Sequence, residues 1–286
     1  MSNCQKWLQA VVICAFTAVG GCAATGAGSD QAQVDFETFG EGPEKVVVLH
    51  DWLGDRSNFD PIRSYLDTQR FTYAFVDLRG YGGSKGVSGE FTADEAANDA
   101  VAVADELDWQ KFHIVGHSMT GMVVQRVAAN VPDRVKSVVA TSPVSAAGMQ
   151  VDEKTFGFFK SVVTDTKAAG QAIGLLTGNR LSKKWVGFKV DRAMTTSTAE
   201  ARLAYLDMFD KTDFSSDVSG LKVPVLALLG KNDIPAFQPK SIQATFGSWY
   251  PNLSVVVSPN AGHYPMQETP AFYASSIEAH MNKYGG

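Results

Sequence analysis

Short apolar segments alternate with amphipathic stretches along most of this chain, and the alternation begins after residue 34. The apolar segments are rich in Val, Ile and Phe, as buried strands are. They occupy residues 45–49, 72–76, 112–115, 135–141, 223–229 and 253–257. Helical patterns separate them at residues 60–68, 93–107, 119–130, 240–246 and 272–283. This order predicts an α/β fold with a mostly parallel central sheet and helices on both faces.

One further strand and one insertion complete the pattern. Residues 34–39 are predicted to add a strand by antiparallel pairing, joined to the next strand through the turn at residues 40–43. Residues 144–220 contain about four helical segments without a convincing strand, which predicts a helical cap. The core is then built from two pieces of the chain, residues 34–143 and 221–286.

Composition and spacing exclude several classes of protein. The chain is 45% hydrophobic and 19% charged, which is typical of a globular protein with a sizeable core. Its 25 basic and 30 acidic residues give a net charge of −5, so it lacks the basic excess that nucleic-acid binding needs. No metal-ligand spacing, P-loop or dinucleotide fingerprint occurs, so neither a metal nor a nucleotide cofactor is expected. The oligomeric state is left open.

The N-terminus has the character of an export signal. Residues 1–21 carry one charge, Lys6, before an apolar stretch that is too short for a comfortable membrane span. The stretch ends at V-G-G-C, which resembles a bacterial lipobox, and cleavage before Cys22 would leave the residue that carries the lipid. Residues 22–33 are then a flexible tether. We expect an exported protein of the bacterial cell envelope with a lipid anchor at Cys22; the alternative is ordinary cleavage and a soluble secreted or periplasmic protein.

A strand runs into a helix through a tight turn that has Ser118 at its apex, in the sequence F-H-I-V-G-H-S-M-T-G. Gly116 is the small neighbour that lets strand and helix approach each other. The motif resembles the nucleophile elbow of the α/β-hydrolase superfamily, whose pattern is G-x-S-x-G. This chain departs from the pattern at Thr120, where the family has glycine, and Gly121 follows.

Two later motifs resemble the remaining members of the α/β-hydrolase triad. Asp233 follows a buried apolar strand at the position of the family's acid, and His263 lies in N-A-G-H-Y-P after the last strand. The order Ser, Asp, His along the chain is the order of this family. The resemblance covers nearly all of the chain from residue 34 and implies an α/β-hydrolase fold with the triad Ser118, Asp233 and His263.

The segment H-D-W-L-G at residues 50–54 stands where the family has His-Gly and then an oxyanion residue. The resemblance implies that the backbone N–H groups of Trp52 and Met119 form the oxyanion hole. Asp51 replaces the usual glycine, a change that is tolerable because aspartate adopts positive φ more easily than most residues. His50 is expected to brace this loop.

The function implied by the resemblance is hydrolysis by a serine nucleophile through an acyl-enzyme. Aromatic side chains rather than a cationic clamp are expected around the cleft, and the pocket candidates are Trp52, Tyr264, Phe159 and Trp185. An uncharged, partly apolar, small-molecule carboxylic ester or lactone is therefore the expected substrate.

Two alternatives stay open. Carbon–carbon bond hydrolases and cofactor-free haloperoxidases or perhydrolases use a similar triad on the same fold. The alternative from a different class is a catalytically silent envelope lipoprotein that uses the cleft for binding. Its only support is the departure from the family pattern at Thr120 and Asp51.

Overall fold

The computed structural model describes residues 33–285. The expected signal peptide, Cys22 and the tether up to residue 32 lie outside the described residues. No helix within residues 33–285 has the length and apolar character that crossing a membrane requires.

A sheet forms the centre of the described part of the chain. Its strands are β1 (Phe36–Phe39), β2 (Glu44–Leu49), β3 (Phe71–Val76), β4 (Phe112–His117), β5 (Val135–Thr141), β6 (Val225–Gly230) and β7 (Leu253–Ser258). They lie in the order β1-β3-β2-β4-β5-β6-β7, and all neighbours except β1 and β3 are parallel. The predicted mostly parallel sheet is confirmed.

The antiparallel pairing of β1 is also confirmed, although its partner is not the strand that follows it in the chain. β1 pairs with β3, with Phe36 opposite Val76. β2 is flanked by β3 on one side and β4 on the other, so neither of its edges is free to pair with β1. The turn at residues 40–43 therefore carries the chain past β3 instead of closing a two-stranded hairpin.

Helices surround this sheet and form the cap. They are α1 (Ala93–Glu106), α2 (Met119–Asn130), α3 (Glu153–Val162), α4 (Thr166–Leu176), α5 (Lys183–Thr196), α6 (Ala199–Lys211), α7 (Ser215–Val218), α8 (Pro239–Ala244), α9 (Phe246–Trp249), α10 (Pro265–Glu268) and α11 (Pro270–Met281). The apolar residues of α1 and α2 pack on one face of the sheet, and those of α11 pack on the other. The segment predicted as a helix at residues 60–68 is a 3₁₀ helix, Arg56–Tyr65, which contains Pro61.

Between β5 and β6 the chain leaves the sheet to form α3–α7. Polar residues begin four of these helices because their side chains accept the otherwise unpaired N–H groups of the first turn. These caps are Asp152, Asp165, Ser182 and Thr198. The insertion contacts the core at Trp52, whose indole Nε1 donates to the carbonyl oxygen of Arg202 in α6 at 2.7 Å. The cap therefore lies over the loop that follows β2.

Candidate active site

Ser118 lies on a strained turn between β4 and α2. Its φ of +56° and ψ of −113° fall outside the regions that residues with a Cβ favour. Hydrogen bonds hold this conformation: Ser118 N–H donates to Thr141 O at 2.8 Å, and Ser118 O accepts from the N–H groups of Gly121 and Val144, both at 2.9 Å. The half-buried serine lines a cavity beneath the cap.

The residues around Ser118 explain how threonine replaces glycine in this turn. A Cβ at Gly116 would overlap Thr120 O and lie 2.6 Å from Val124 Cγ1, so glycine is needed where β4 meets α2. Thr120 is fully buried, but its hydroxyl accepts from His117 N–H at 2.8 Å and is therefore satisfied. The position that needs glycine is the next one, Gly121, because a Cβ there would lie 2.6 Å from Pro143 Cα.

His263 and Asp233 form a buried pair beside the same cavity. His263 Nδ1 donates to Asp233 Oδ2 at 2.7 Å, and Asp233 Oδ1 accepts from Ile234 N–H at 2.8 Å. The two loops approach through glycines, since a Cβ at Gly230 would lie 2.6 Å from the carbonyl carbon of Gly262. His263 lines the cavity together with Ser118. Ser118 and the His263–Asp233 pair, which the sequence analysis singled out, thus meet at one cavity.

The two residues that are expected to supply the oxyanion donors lie at this cavity as well. Trp52 and Met119 both line it, and Met119 is the first residue of α2, where the backbone N–H has no partner within the helix. A hydrogen bond also holds the backbone of Trp52 in place, because its carbonyl oxygen accepts from Tyr81 Oη at 3.0 Å. His50 braces the loop: Nε2 accepts from Leu78 N–H at 3.1 Å, so Nδ1 carries the proton and donates to Asp51 O at 2.8 Å.

Asp51 fits its position for a different reason from the one expected. It is not among the described non-glycine residues with positive φ, so no left-handed conformation is required of it. Its buried carboxylate instead accepts hydrogen bonds from Asn58 Nδ2 and, at 3.3 Å, from Leu53 N–H. The aspartate therefore anchors the loop with its side chain.

The cavity contains about 430 Å³ of empty space, counting its opening to solvent. Its walls are apolar apart from Ser118 and His263, and they come from both core and cap. The remaining lining residues, which were not among the four pocket candidates, are Leu53, Val144, Met149, Ala172, Leu176, Phe209, Ile234 and Phe237. The cavity suits an uncharged, apolar group next to Ser118.

Two of the four pocket candidates line this cavity, and two do not. Trp52 and Phe159 line it, with their rings 6.1 Å apart edge to face. Tyr264 is not among the lining residues: it is fully buried, and its ring packs against His117, with ring centroids 5.4 Å apart. Trp185 is not among the lining residues either, and its ring packs against that of Tyr264, with centroids 5.7 Å apart.

The surroundings of His263 are neutral on one side. Burial lowers the pKa of His117 to about 3, so this ring is uncharged near neutral pH. His117 Nε2 donates to His263 O at 2.7 Å and so fixes the backbone of the loop. Within residues 33–285 no three His, Cys, Asp or Glu side chains are grouped so as to hold a metal ion.

Comparisons with known proteins agree with this architecture. The model of the alpha/beta hydrolase fold family matches residues 45–270. The pimeloyl-[acyl-carrier protein] methyl ester esterase of Nitrosomonas europaea is 26% identical over 261 residues, covering 87% of this chain and 99% of its own. A thermophilic esterase from Thermogutta terrifontis has a TM-score of 0.76 at 22% identity, with 88% of this chain and 94% of that one covered. The enol-lactonase from Burkholderia xenovorans LB400 has a TM-score of 0.74 at 19% identity, with 87% and 96% covered. The chain belongs to the α/β-hydrolase fold family.

Proposed function

We propose that this enzyme hydrolyses carboxylic esters or lactones through an acyl-enzyme formed on Ser118. The observation that carries the proposal is the hydrogen bond of 2.7 Å from His263 Nδ1 to Asp233, in a histidine that shares its cavity with a strained serine. Because a carboxylate only accepts, Nδ1 holds the proton and Nε2 is left free to act as a base. A methyl ester esterase among the relatives supports the same class of reaction.

The mechanism follows from these positions. A serine hydroxyl is a weak nucleophile near neutral pH, so His263 removes its proton as Ser118 Oγ attacks the carbonyl carbon. Asp233 stabilises the imidazolium that forms and keeps the ring oriented. The N–H groups of Trp52 and Met119 stabilise the charge on the carbonyl oxygen, each by about 3 kcal/mol. His263 then protonates the leaving group, and water hydrolyses the acyl-enzyme by the same steps.

The cavity supports an uncharged, partly apolar substrate. No carboxylate or cationic side chain lies among its lining residues, and His263 is its one titratable group. A charged acyl group would therefore lose its hydration without gaining a counter-ion. Apolar groups would be favoured by roughly 25 cal/mol for each Å² removed from water.

A panel of substrates tests this proposal. Purified protein is incubated with p-nitrophenyl esters of increasing acyl length, with lactones and with cleavable diketones, and kcat/KM is measured for each. Neutral esters or lactones should be turned over by the wild type and not by Ser118→Ala. Preferred cleavage of the diketones would show that the same triad serves carbon–carbon bond hydrolysis. Halogenation or perhydrolysis as the main reaction, once hydrogen peroxide is supplied, would likewise show that it serves another reaction. A folded wild type with no turnover would instead favour a binding protein.

We also propose that the protein is exported and carries a lipid at Cys22. The support is the sequence around this residue: an apolar stretch with a single preceding charge ends in V-G-G-C. Labelled palmitate should enter the wild type expressed in a bacterial host and should not enter Cys22→Ser. A wild type that carries no label would contradict the anchor and leave plain secretion.

A further inference from the structure

A buried lysine of the cap lies behind the candidate active site. Lys189 in α5 has none of its surface exposed, and it is the only buried lysine among the described residues. Burial of an ammonium group without partners costs several kcal/mol, so this lysine needs polar or charged neighbours. The mechanism proposed above does not use it.

Asn58 links the ammonium of Lys189 to a buried carboxylate. Lys189 Nζ donates to Asn58 Oδ1 at 2.7 Å, while Asn58 Nδ2 donates to Asp51 Oδ1. Asp51 is 2% exposed. The Lys189 ammonium also lies 4.4 Å from the ring centroid of Tyr264, a distance that allows a cation–π interaction. The opposite charges of Lys189 and Asp51 are thus joined through one side-chain amide.

Each of the two charges depends on the other. Burial by itself raises the pKa of a carboxyl, yet the pKa of Asp51 lies below its ordinary value, with the attraction to Lys189 as the strongest opposing cause. Burial lowers the pKa of Lys189, and the carboxylate of Asp51 acts against that shift. Removal of one partner would leave the other charged group buried without its strongest compensating charge.

This pair is connected to the loop that carries the expected oxyanion donor. Asp51 precedes Trp52 in the chain, and its Oδ2 accepts from Leu53 N–H at 3.3 Å, so the carboxylate spans the peptide groups on both sides of Trp52. One turn further along α5, Arg192 pairs with Asp55 of the same loop at 2.7 Å. The cap helix therefore holds this loop at two points.

We propose that Lys189, which belongs to α5 of the cap, and Asp51 are positioning residues. The pair, linked through Asn58, holds the Trp52 N–H at the oxyanion site. The inference rests on the proposed function, because the position of this N–H matters only when an oxyanion forms. It accounts for the aspartate that this chain carries where the family pattern has glycine.

A double-mutant cycle tests the proposal. We would compare the wild type with Lys189→Met, Asp51→Asn and the double variant, using a p-nitrophenyl ester. Lys184→Met, which removes an exposed lysine from the same helix, is the matched control. Lys189→Met should lower kcat by about 10- to 100-fold and change KM by less than about threefold, since a misplaced oxyanion donor affects the transition state more than substrate binding. The control should match the wild type.

The double variant decides whether the two residues act as a pair. It should recover at least about tenfold in kcat over Lys189→Met, because no lone charge is left buried. If Lys189→Met does not fold, the comparison with Asp51→Asn remains, and the double variant should again have the higher kcat. The proposal would be overturned if Lys189→Met left kcat unchanged or changed KM alone. It would also be overturned if the loss of kcat in the double variant equalled the product of the losses in the two single variants. A folded wild type without ester turnover would refute the proposed function instead.

Discussion

Replacement of Asp233 by asparagine tests the role of the acid without changing the shape of the site. In the wild type, Asp233 Oδ1 accepts from Ile234 N–H at 2.8 Å and Oδ2 accepts from His263 Nδ1 at 2.7 Å. In Asp233→Asn, the Ile234 N–H should hold the amide oxygen, because only that atom can accept its proton. The amide NH₂ group then faces His263.

This orientation determines the size of the effect. An NH₂ group facing Nδ1 makes that nitrogen an acceptor, so the proton moves to Nε2 and the ring can no longer take a proton from Ser118. Loss of the correct tautomer and of the stabilised imidazolium lowers kcat by about 10⁴-fold in a serine enzyme that carries the same triad on an unrelated fold. At 1.36 kcal/mol for each factor of ten, the barrier should rise by about 5 kcal/mol.

The assay is the steady-state hydrolysis of a p-nitrophenyl ester, with thermal unfolding as the check on folding. Asp191→Asn, at an exposed position of α5, provides a matched control for the loss of one carboxylate. We expect Asp233→Asn to unfold within a few degrees of the wild type and to lose at least about 10³-fold in kcat. A kcat within tenfold of the wild type would refute the assignment of Asp233.

Three further variants test the packing, the buried histidines and the cavity. Gly116→Ala should lower the free energy of unfolding in urea by about 1–3 kcal/mol, because the new Cβ would lie 2.6 Å from Val124 Cγ1; an unchanged midpoint would contradict this close packing. Burial lowers the pKa of His113 from 6.5 to about 4, so the folded protein binds fewer protons than the unfolded chain and loses stability as the pH falls through this interval. His113 should contribute at most roughly 3 kcal/mol to the fall in unfolding free energy, measured in urea at a series of pH values, so the fall should be smaller in His113→Gln. Equal falls in both proteins would show that burial of His113 is not responsible. Ala172→Phe should fill the cavity and raise KM for long acyl esters by at least about tenfold while sparing acetate esters; equal effects on both would show that the acyl chain binds elsewhere.

The strands could be predicted because their burial is visible locally. Every residue of β3 (Phe71–Val76) and β6 (Val225–Gly230) is buried, so both appear in the sequence as continuous apolar segments. The turn at Ser118 could be predicted for a similar reason, since its glycine and its strained serine lie only two positions apart in the chain. Features determined by neighbours in sequence could therefore be predicted from the sequence alone.

Features determined by contacts distant in sequence could not be predicted in this way. The partner of β1 depends on which edge of the sheet is free, and this is known only once β2 has been placed between β3 and β4. Tyr264 follows His263 directly, but its ring packs against His117 instead of lining the cavity, which no property of the residue itself indicates. The role of Asp51 depends on Lys189, a residue 138 positions later that reaches it only through the fold of the cap.

The most direct test of the account is the site of modification by a fluorophosphonate probe, read by peptide mass spectrometry. The folded wild type should acquire one label, on the peptide that contains Ser118, and Ser118→Ala should acquire none. A folded wild type that remains unlabelled, or that carries the label on another serine, would contradict the assignment of Ser118 as the nucleophile.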